Sequence, residues 1–381
     1  MNEDSPSRDR ELKWNGWGYE GCRFFINDRG YIEFNGEKYP DIDKQIFPDI
    51  RQWLDKNLFT DLYYRTPSRP EPDFTKAYPA IVSKELCERF DARGIEYSVD
   101  RQKCYVRSHS QSSPDLFTVR HYNLKRLVDV VVWPRNHNDV VEILQLANVL
   151  NFCAIPIGGN TNITQATNPP STETRGIISV DMERMLHDYG VTLGHEPDSY
   201  ELSTVGGWIA TRASGMKKNR YGNIDDLLVS IKMATVKGTI ESGTEVVGFN
   251  LTELALGSEG IFGIITEATL KVRILPQVQR YDSIIFPSFE NGVRFMKKVS
   301  EMDSYPASVR LLDNSQFQVG IDIKPFRGYY TRIRNRIALF FLSHALRYNL
   351  KQAVAATLVF EGSQQEVDHQ EKEIMRLAAN H

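Results

Sequence analysis

The sequence contains few cysteines and no metal-binding pattern. Its four cysteines, Cys22, Cys87, Cys104 and Cys153, are far apart and form no CxxC pair, which argues against a disulfide framework or a structural zinc site. The eight histidines show no HExxH motif and no other metal-ligand spacing. We therefore expect no metal centre, and the cysteine usage fits a reducing compartment.

Long apolar runs are also missing. No stretch of about 18 apolar residues occurs, so no membrane-spanning helix is expected. The charged residues at the beginning of the chain do not form a secretory signal, and its last three residues are not an S-K-L address. The net charge of −3 gives no general case for nucleic-acid binding. The composition is that of an ordinary globular protein, and 381 residues suffice for two or three domains.

Short β-branched runs alternate with helical patterns from residue 128 onward. Strands are predicted at 128–133, 154–157 and 177–180, and a helix at 140–151 is capped by Asn138 or Asp139. This β-α-β-loop-β order is typical of an α/β nucleotide-binding lobe. Alternation continues to the end, with elements predicted at 227–234, 239–241, 251–256, 263–272, 283–286, 289–301, 308–312, 332–348, 355–360 and 364–379. The pattern indicates an α+β protein.

Four loops rich in glycine and hydroxyl residues lie at predicted strand or helix ends. They cover residues 156–162, 194–208, 211–215 and 257–264. In the first, paired glycines let successive N–H groups converge on an anion such as a pyrophosphate, although this loop alone is equally compatible with a plain turn. Together the four loops indicate one extended polar ligand, such as a dinucleotide.

Longer strings make the interpretation specific. Among them are Gly194-His-Glu-Pro-Asp-Ser199, Thr211-Arg-Ala-Ser-Gly-Met-Lys-Lys-Asn219 and Pro306-Ala-Ser-Val-Arg310. With them the sequence resembles the vanillyl-alcohol-oxidase class of FAD enzymes and, within it, the alkylglycerone-phosphate synthase family. The resemblance implies an α+β fold in which a two-lobed PCMH-type FAD-binding domain (124–277) follows an N-terminal tail and mixed helical segment (1–123) and precedes an incomplete α+β substrate or cap domain (278–381).

The same resemblance implies an activity. Family members exchange the acyl group of 1-acyl-dihydroxyacetone phosphate for a long-chain fatty alcohol, through a flavin N5 adduct and without net redox, in ether-lipid biosynthesis. The FAD should be bound non-covalently, because residues 156–167 contain no histidine for a covalent link. The resemblance further implies a peroxisomal location at a peripheral membrane surface, a homodimer, and dihydroxyacetone-phosphate acyltransferase as a partner.

The resemblance also assigns site residues. Arg310 is the predicted catalytic residue, with a structural ion pair to Asp313 as the alternative. His195 lies in a loop beside Pro197, which favours a structural or flavin-contacting role over catalysis. The predicted cofactor-binding residues are Pro156, Ile157, Gly158, Gly159, Asn160, Thr161, Asn162, Asp198, Ser199, Tyr200, Glu201, Leu202, Ser203, Thr204, Thr211, Arg212, Ala213, Ser214, Ser258, Glu259, Gly260, Ile261, Phe262, Gly263 and Ile264.

Three departures from the family pattern are expected to matter. Asn160 and Asn162 stand where the family has a third glycine and a serine, and asparagine tolerates positive φ, so the turn is expected to form. A strand, a turn, another strand and part of a helix are missing between Tyr189 and Gly190, which we interpret as an internal deletion. The chain also ends at His381, before the remaining cap strands and the family's tyrosine and histidine-cluster residues.

Two other interpretations stay open on the sequence. One is another FAD enzyme of the same fold, of the D-2-hydroxy-acid dehydrogenase type. The other is a catalytically inactive isoform of the synthase. Separately, six basic residues bracket the apolar run 337–342 and indicate either a solvated helix face or an amphipathic element at a membrane surface; they are Arg327, Arg332, Arg334, Arg336, Arg347 and Lys351.

Overall fold

A computed structural model of the chain describes residues 12–58, 61–64, 67–181, 191–242, 250–344 and 347–380. Within these residues the strands are β1 (Arg23–Ile26), β2 (Ile32–Asn35), β3 (Ile46–Phe47), β4 (Glu96–Ser98), β5 (Val130–Trp133), β6 (Cys153–Ile157), β7 (Ile177–Asp181), β8 (Val191–Thr192), β9 (Leu228–Thr235), β10 (Gly238–Glu241), β11 (Ile264–Leu270), β12 (Arg273–Ile274), β13 (Val278–Phe286), β14 (Ser308–Leu312) and β15 (Val354–Gly362).

The helices of the same residues are α1 (Ile50–Leu58), α2 (Phe74–Ala77), α3 (Lys84–Arg93), α4 (Arg101–Val106), α5 (Ser113–His121), α6 (His137–Val149), α7 (Val205–Ala210), α8 (Lys218–Tyr221), α9 (Ile224–Leu227), α10 (Leu251–Ala255), α11 (Phe289–Ser300), α12 (Asn314–Asp322), α13 (Tyr329–His344) and α14 (Gln364–Ala378).

The chain forms two compact units, each assembled from two separate segments. Residues 1–17 and 68–275 make the first, and residues 18–67 and 276–381 make the second. This division differs from the three consecutive domains expected from the sequence, because residues 18–67 group with the C-terminal segment and residues 68–123 with the FAD-binding region. The α+β fold class is confirmed, since both units mix helices and sheets.

The first lobe of unit 1 is built on the sheet β4-β5-β7-β6, in which β5, β7 and β6 are parallel. All residues of β5 and β7 are buried, as expected for β-branched strands covered on both faces. Helix α6 packs Val140 and Ile143 into the same core. It begins earlier than predicted, because the side chain of Asn136, not of Asn138 or Asp139, accepts from the N–H of residue 139 at 3.1 Å.

The second lobe of unit 1 is the antiparallel sheet β10-β9-β11, packed against short helices through Trp208, Ile209 and Ile224. A histidine joins the two lobes: His137, at the start of α6, contacts Thr266 Oγ1 through Nδ1 and Thr239 Oγ1 through Nε2, both at 2.7 Å. The expectation of two lobes in this part of the chain is therefore confirmed.

Unit 2 combines an N-terminal meander with a C-terminal sheet. Strands β1, β2 and β3 pair in order, and a cluster around Phe34 and Phe47 packs against Val319 of α12. The N–H of Phe326 also donates to the carbonyl of Ile46 at 2.7 Å. These contacts between distant parts of the sequence are the physical reason why residues 18–67 belong to this unit. The C-terminal sheet has the antiparallel order β13-β15-β14.

The described residues include neither a membrane-spanning helix nor a metal-binding cluster. No helix among them is long and apolar enough to cross a membrane. No group of three or more histidine, cysteine, aspartate or glutamate side chains among them is suited to hold a metal ion.

Candidate cofactor site

The loop 156–162 begins with the last two residues of β6 and packs directly against the loop 198–204. A Cβ atom added at Gly159 would overlap the carbonyl oxygen of Leu202, and one at Gly158 would overlap the side chain of Thr204. Only glycine allows so close an approach of the two backbones. The predicted pairing of these two loops around one ligand therefore has a structural basis.

Asn160 holds the first loop in a left-handed backbone conformation. Its φ is +56°, in the left-handed region that asparagine tolerates. Its side-chain amide donates to the carbonyl of His109, and its side-chain oxygen accepts from Thr167 Oγ1 at 2.7 Å. The backbone carbonyl of Asn160 accepts from the N–H of Gln111 at 2.9 Å. The expectation that the turn forms with asparagine at this position is confirmed.

The loop 257–264 contacts both the loop 156–162 and the end of α7. A Cβ at Gly260 would lie 2.7 Å from Cγ of Pro156, and the hydroxyl of Thr164 donates to Glu259 at 2.9 Å. The N–H of Glu259 also donates to the carbonyl of Ala210, the last residue of α7, at 2.9 Å. Since residues 211–214 follow directly, all four predicted loops meet in one region of unit 1.

Hydrogen bonds and an ion pair hold hydroxyl and charged side chains of two of the loops in place. In 198–204, Ser203 Oγ accepts from the indole N–H of Trp208 at 2.8 Å, and Tyr200 stacks on the Trp208 ring at 5.9 Å. In 211–214, Arg212 forms an ion pair with Asp225 at 3.0 Å, and Ser214 donates to Asn223 at 2.8 Å. These contacts hold the loop conformations without help from a ligand.

Not every predicted residue offers a side chain to the site. Ile264 is buried among core residues, so it can contribute only backbone groups, whereas the buried Ile157 lines the cavity next to Gly158 and Asn160. Eight others have exposed side chains; they are Asp198, Tyr200, Glu201, Thr211, Arg212, Ser214, Ile261 and Phe262. The backbone and a few polar groups therefore define the site more than the full set of side chains does.

Unpaired buried polar atoms show that the site fits a polar ligand. Within the described part of the chain, Ser258 Oγ and Asn162 Oδ1 are buried and have no hydrogen-bond partner. Leaving such groups unpaired is costly, so they are normally satisfied by water or a ligand. Together with the glycine positions that a Cβ would fill, these atoms fit a polar ligand bound close to the backbone, such as a dinucleotide.

His195 is buried beside this site and both of its ring nitrogens lack a partner among the described residues. Its ring lies 5.2 Å from the Trp208 ring, and a Cβ at Gly215 would lie 2.9 Å from its Nδ1. Burial lowers the pKa of His195, although the nearby Asp225 carboxylate opposes this shift. The neutral, enclosed imidazole agrees with the predicted structural or flavin-contacting role, which stays a prediction.

The free energy of unfolding is expected to fall as the pH is lowered from 7 to 5, partly because of His195. Its folded pKa is below the unfolded value of about 6.5, so below that pH the unfolded chain binds more protons than the folded chain. Urea denaturation at several pH values should show that the free energy of unfolding changes less steeply with pH in His195→Gln than in the parent chain. The matched control is His369→Gln, because His369 is exposed. Equal slopes for both variants and the parent chain would contradict this account.

A buried polar segment that was not predicted from the sequence borders the first loop. Arg107 forms an ion pair with Asp181 at 2.8 Å, and both side chains line a cavity together with Gly158 and Asn160. The guanidinium of Arg107 also lies over the ring of Trp133, 5.4 Å from its centre. The signal that could have found this segment is the polar string Arg107-Ser-His-Ser-Gln-Ser-Ser113 between apolar residues.

Asp115 organises the end of this polar segment. Burial opposes its ionisation, but hydrogen bonds from Ser110 and Asn168 lower its pKa overall. Ser110 donates through both its N–H, at 2.8 Å, and its hydroxyl, at 2.6 Å. Nε2 of the neighbouring His109, a fully enclosed side chain, has no partner among the described residues. The first loop is thus supported by a charged and hydrogen-bonded layer beneath it.

Two family patterns match the chain. The one described as FAD binding domain matches residues 172–243, and the one described as FAD linked oxidases, C-terminal domain, matches residues 275–381. The first contains the loops 198–204 and 211–214, and the second begins where the C-terminal segment of unit 2 begins. FAD is therefore confirmed as the cofactor for which this chain carries a binding domain.

Whole-chain comparisons decide the family. The alkyldihydroxyacetonephosphate synthase of Caenorhabditis elegans is 36% identical over 99% of this chain and 69% of its own length. The chain belongs to the alkyldihydroxyacetonephosphate synthase family. The Dictyostelium discoideum synthase is 30% identical, with coverages of 94% and 64%. A solved structure of an alkyldihydroxyacetonephosphate synthase has a TM-score of 0.87 at 27% identity, covering 99% of this chain and 74% of that one.

This is the family that the sequence motifs indicated under its other name, alkylglycerone-phosphate synthase. Enzymes of the alternative class match a smaller part: the mitochondrial D-lactate dehydrogenase of Arabidopsis thaliana is 28% identical over 50% of the chain. The synthase interpretation is therefore favoured over a hydroxy-acid dehydrogenase.

The chain spans 64–69% of the length of these two synthase relatives. The alignment with the nematode synthase extends over 412 positions, more than the 381 residues of the chain, so the relative has residues that this chain lacks. That difference favours the predicted internal deletion. Its predicted place, between residues 189 and 190, lies outside the described residues.

Arg310 lies on β14 of unit 2 and its side chain is exposed. No ion pair of Arg310 occurs among the described residues. The Asp313 side chain instead caps α12, where it accepts from the N–H of Gln316 at 2.8 Å. The alternative interpretation of Arg310, a structural ion pair with Asp313, is therefore not seen, and its assignment as a catalytic residue stays a prediction.

Proposed function

We propose that the chain catalyses the exchange of the acyl group of 1-acyl-dihydroxyacetone phosphate for a long-chain fatty alcohol, without net oxidation. The observation that carries the proposal is the convergence of the four predicted FAD loops in a chain that is 36% identical to a synthase over 99% of its length. When bound, FAD supplies the nucleophile for this kind of group transfer.

The residues of the chain have separate parts in this proposal. The loops 156–162, 198–204 and 257–264 hold the dinucleotide through backbone groups at Gly158, Gly159 and Gly260, where no side chain fits. Arg310 recognises the phosphate of the substrate, since an unpaired guanidinium presents several N–H donors to phosphate oxygens.

An exchange assay tests the proposal. The FAD-loaded chain is incubated with 1-acyl-dihydroxyacetone phosphate and radiolabelled hexadecanol. We expect label in the ether product and release of free fatty acid in equal amounts. Reduction of the flavin by D-lactate or another hydroxy acid, without exchange, would instead favour a dehydrogenase. Bound flavin with neither activity would favour the inactive isoform.

We further propose that α13 binds a lipid surface. Six large apolar side chains of this helix are exposed, and their spacing places them within about a third of its circumference; they are Tyr329, Tyr330, Ile333, Ile337, Phe340 and Phe341. Basic residues precede and follow them, among them Lys324, Arg327, Arg347 and Lys351. An exposed apolar stripe with basic flanks suits anionic lipid, which also fits a lipid substrate.

Replacing Ile333, Ile337 and Phe340 by serine is expected to abolish sedimentation of the chain with vesicles of phosphatidylcholine and phosphatidylserine. The apolar stripe then loses most of the area that it can bury in the lipid interface. Arg327→Glu with Lys351→Glu should weaken binding mainly at low salt, because charge attraction is screened. Unchanged sedimentation of the serine variant would overturn the proposal.

The location and assembly of the chain stay predictions from the resemblance. They are a peroxisomal, lumenal membrane surface, a homodimer, and association with dihydroxyacetone-phosphate acyltransferase. Imaging of a fluorescent fusion and light scattering of the purified chain test the first two directly.

A further inference from the structure

The sheet β13-β15-β14 has two different faces. One face is apolar and packs against α11 and α14 through a core that includes Phe286, Ala356, Leu358 and Phe295. Successive residues of a strand point to opposite faces, so the intervening residues form the other face. On β13 these are Gln279, Tyr281 and Ser283, which are exposed, and Ile285, which is partly buried.

The strand register places three polar residues in one row across this second face. Arg310 of β14 lies directly opposite Thr357 of β15, and Thr357 lies directly opposite Ser283 of β13. Side chains of directly opposed residues are on the same face, with Cβ atoms about 5 Å apart. A guanidinium and two hydroxyls therefore stand side by side on adjacent strands.

The row marks a boundary on the sheet. On one side, the neighbouring row Leu312–Ala355–Ile285 is apolar, and Ala355 and Ile285 pack against Phe317 of α12. On the other side, the next row contains Ser308, Val359 and the exposed Tyr281. The three polar residues thus lie between the apolar end of this face, which α12 covers, and the end that contains the exposed Tyr281.

The charge of Arg310 is not neutralised by the described residues around it. The row contains no carboxylate, Asp313 caps α12, and Glu361 accepts from Gln279 at 2.5 Å two rows away. No described side chain forms a hydrogen bond with the Thr357 or Ser283 hydroxyl. The contrast is Arg280 on the helix-covered face, which pairs with Asp368 at 2.8 Å and Glu371 at 2.6 Å.

We propose that Thr357 and Ser283 join Arg310 in one phosphate-binding row and determine the specificity of the enzyme for a phosphorylated substrate. The inference rests on the proposed function and deepens it. A phosphate monoester offers three acceptor oxygens and carries close to two negative charges. The row offers the N–H donors of Arg310 and two hydroxyl donors, and it contains no carboxylate that would repel the phosphate.

Calorimetric titration of the full, FAD-loaded chain with dihydroxyacetone phosphate tests the inference without relying on turnover. Thr357→Val and Ser283→Ala remove one hydroxyl each and keep a strand-compatible side chain. Each is expected to weaken binding about ten-fold, because a hydrogen bond to a charged group is lost. Unphosphorylated dihydroxyacetone should bind weakly to every variant. Kinetically, KM for the acyl substrate should rise in both variants while KM for the alcohol is unchanged.

Thr269→Val is the matched control, since Thr269 is exposed on β11 of the other unit. It should bind dihydroxyacetone phosphate like the parent chain. Parent-like affinity in Thr357→Val and Ser283→Ala, or no binding by the parent chain, would overturn the inference. If binding depends on the row but no acyl-for-alkyl exchange occurs, the inference stands and the proposed reaction fails.

Discussion

Replacing Gly159 by alanine is expected to weaken FAD binding. The new methyl group would overlap the carbonyl oxygen of Leu202, which is backbone and cannot rotate away. The loops 156–162 and 198–204 would have to separate, at a cost of about 1–3 kcal/mol for overpacking. Because the same two loops hold the cofactor, flavin affinity should fall at least about ten-fold. Visible absorbance of the purified variant after addition of FAD measures the loss.

Gly320→Ala is the control for this substitution. Gly320 lies in α12, a Cβ there meets no atom within 4 Å, and its φ is not in the left-handed region. Alanine in a helix should stabilise the chain slightly, by up to about 1 kcal/mol, and leave flavin binding unchanged. Parent-like flavin content in Gly159→Ala would show that the two loops do not form the binding site together.

Replacing Arg107 by methionine is expected to destabilise the chain by about 3–5 kcal/mol, because the carboxylate of Asp181 stays buried after losing the guanidinium of Arg107. In the parent chain, Nε and Nη2 of Arg107 lie 2.9 and 2.8 Å from the same oxygen of Asp181, and both side chains are over nine-tenths buried. Urea denaturation followed by tryptophan fluorescence measures the change.

A double variant and a variant that breaks an exposed ion pair serve as comparisons for Arg107→Met. Arg107→Met with Asp181→Leu should recover part of the lost stability, since no buried charge remains unpaired. Arg294→Ala breaks an exposed pair with Glu290 on α11 and should cost less than about 1 kcal/mol. If Arg107→Met costs no more than Arg294→Ala, the buried pair does not support the loop 156–162 as described.

Local sequence patterns predicted many elements of the described fold because their periods are regular. The β-branched runs that became β5 and β7 are buried on both faces, and β14 has the bounds that were predicted. The meander β1–β2–β3 was missed because strands of two to four residues are too short to show alternation. Its membership in unit 2 depends on packing with Val319, far along the chain, which local patterns cannot indicate.

The candidate site was predictable where backbone conformation dictates residue type. Glycine at 159 and 260 and asparagine at 160 are consequences of close approach or positive φ, so the loops could be found in the sequence. The pair of Arg107 with Asp181 could not, because it joins residues 74 positions apart. The row formed by Arg310, Thr357 and Ser283 likewise required the strand register, which no single motif encodes.

The binding of one FAD by the four loops is tested most directly by the visible absorption spectrum of the purified chain after incubation with excess FAD and gel filtration. We expect one FAD per chain with the absorption bands of a bound, oxidised flavin, and release of that flavin on denaturation, because the link is non-covalent. A chain that elutes folded but without flavin absorbance would show that the four loops do not bind FAD.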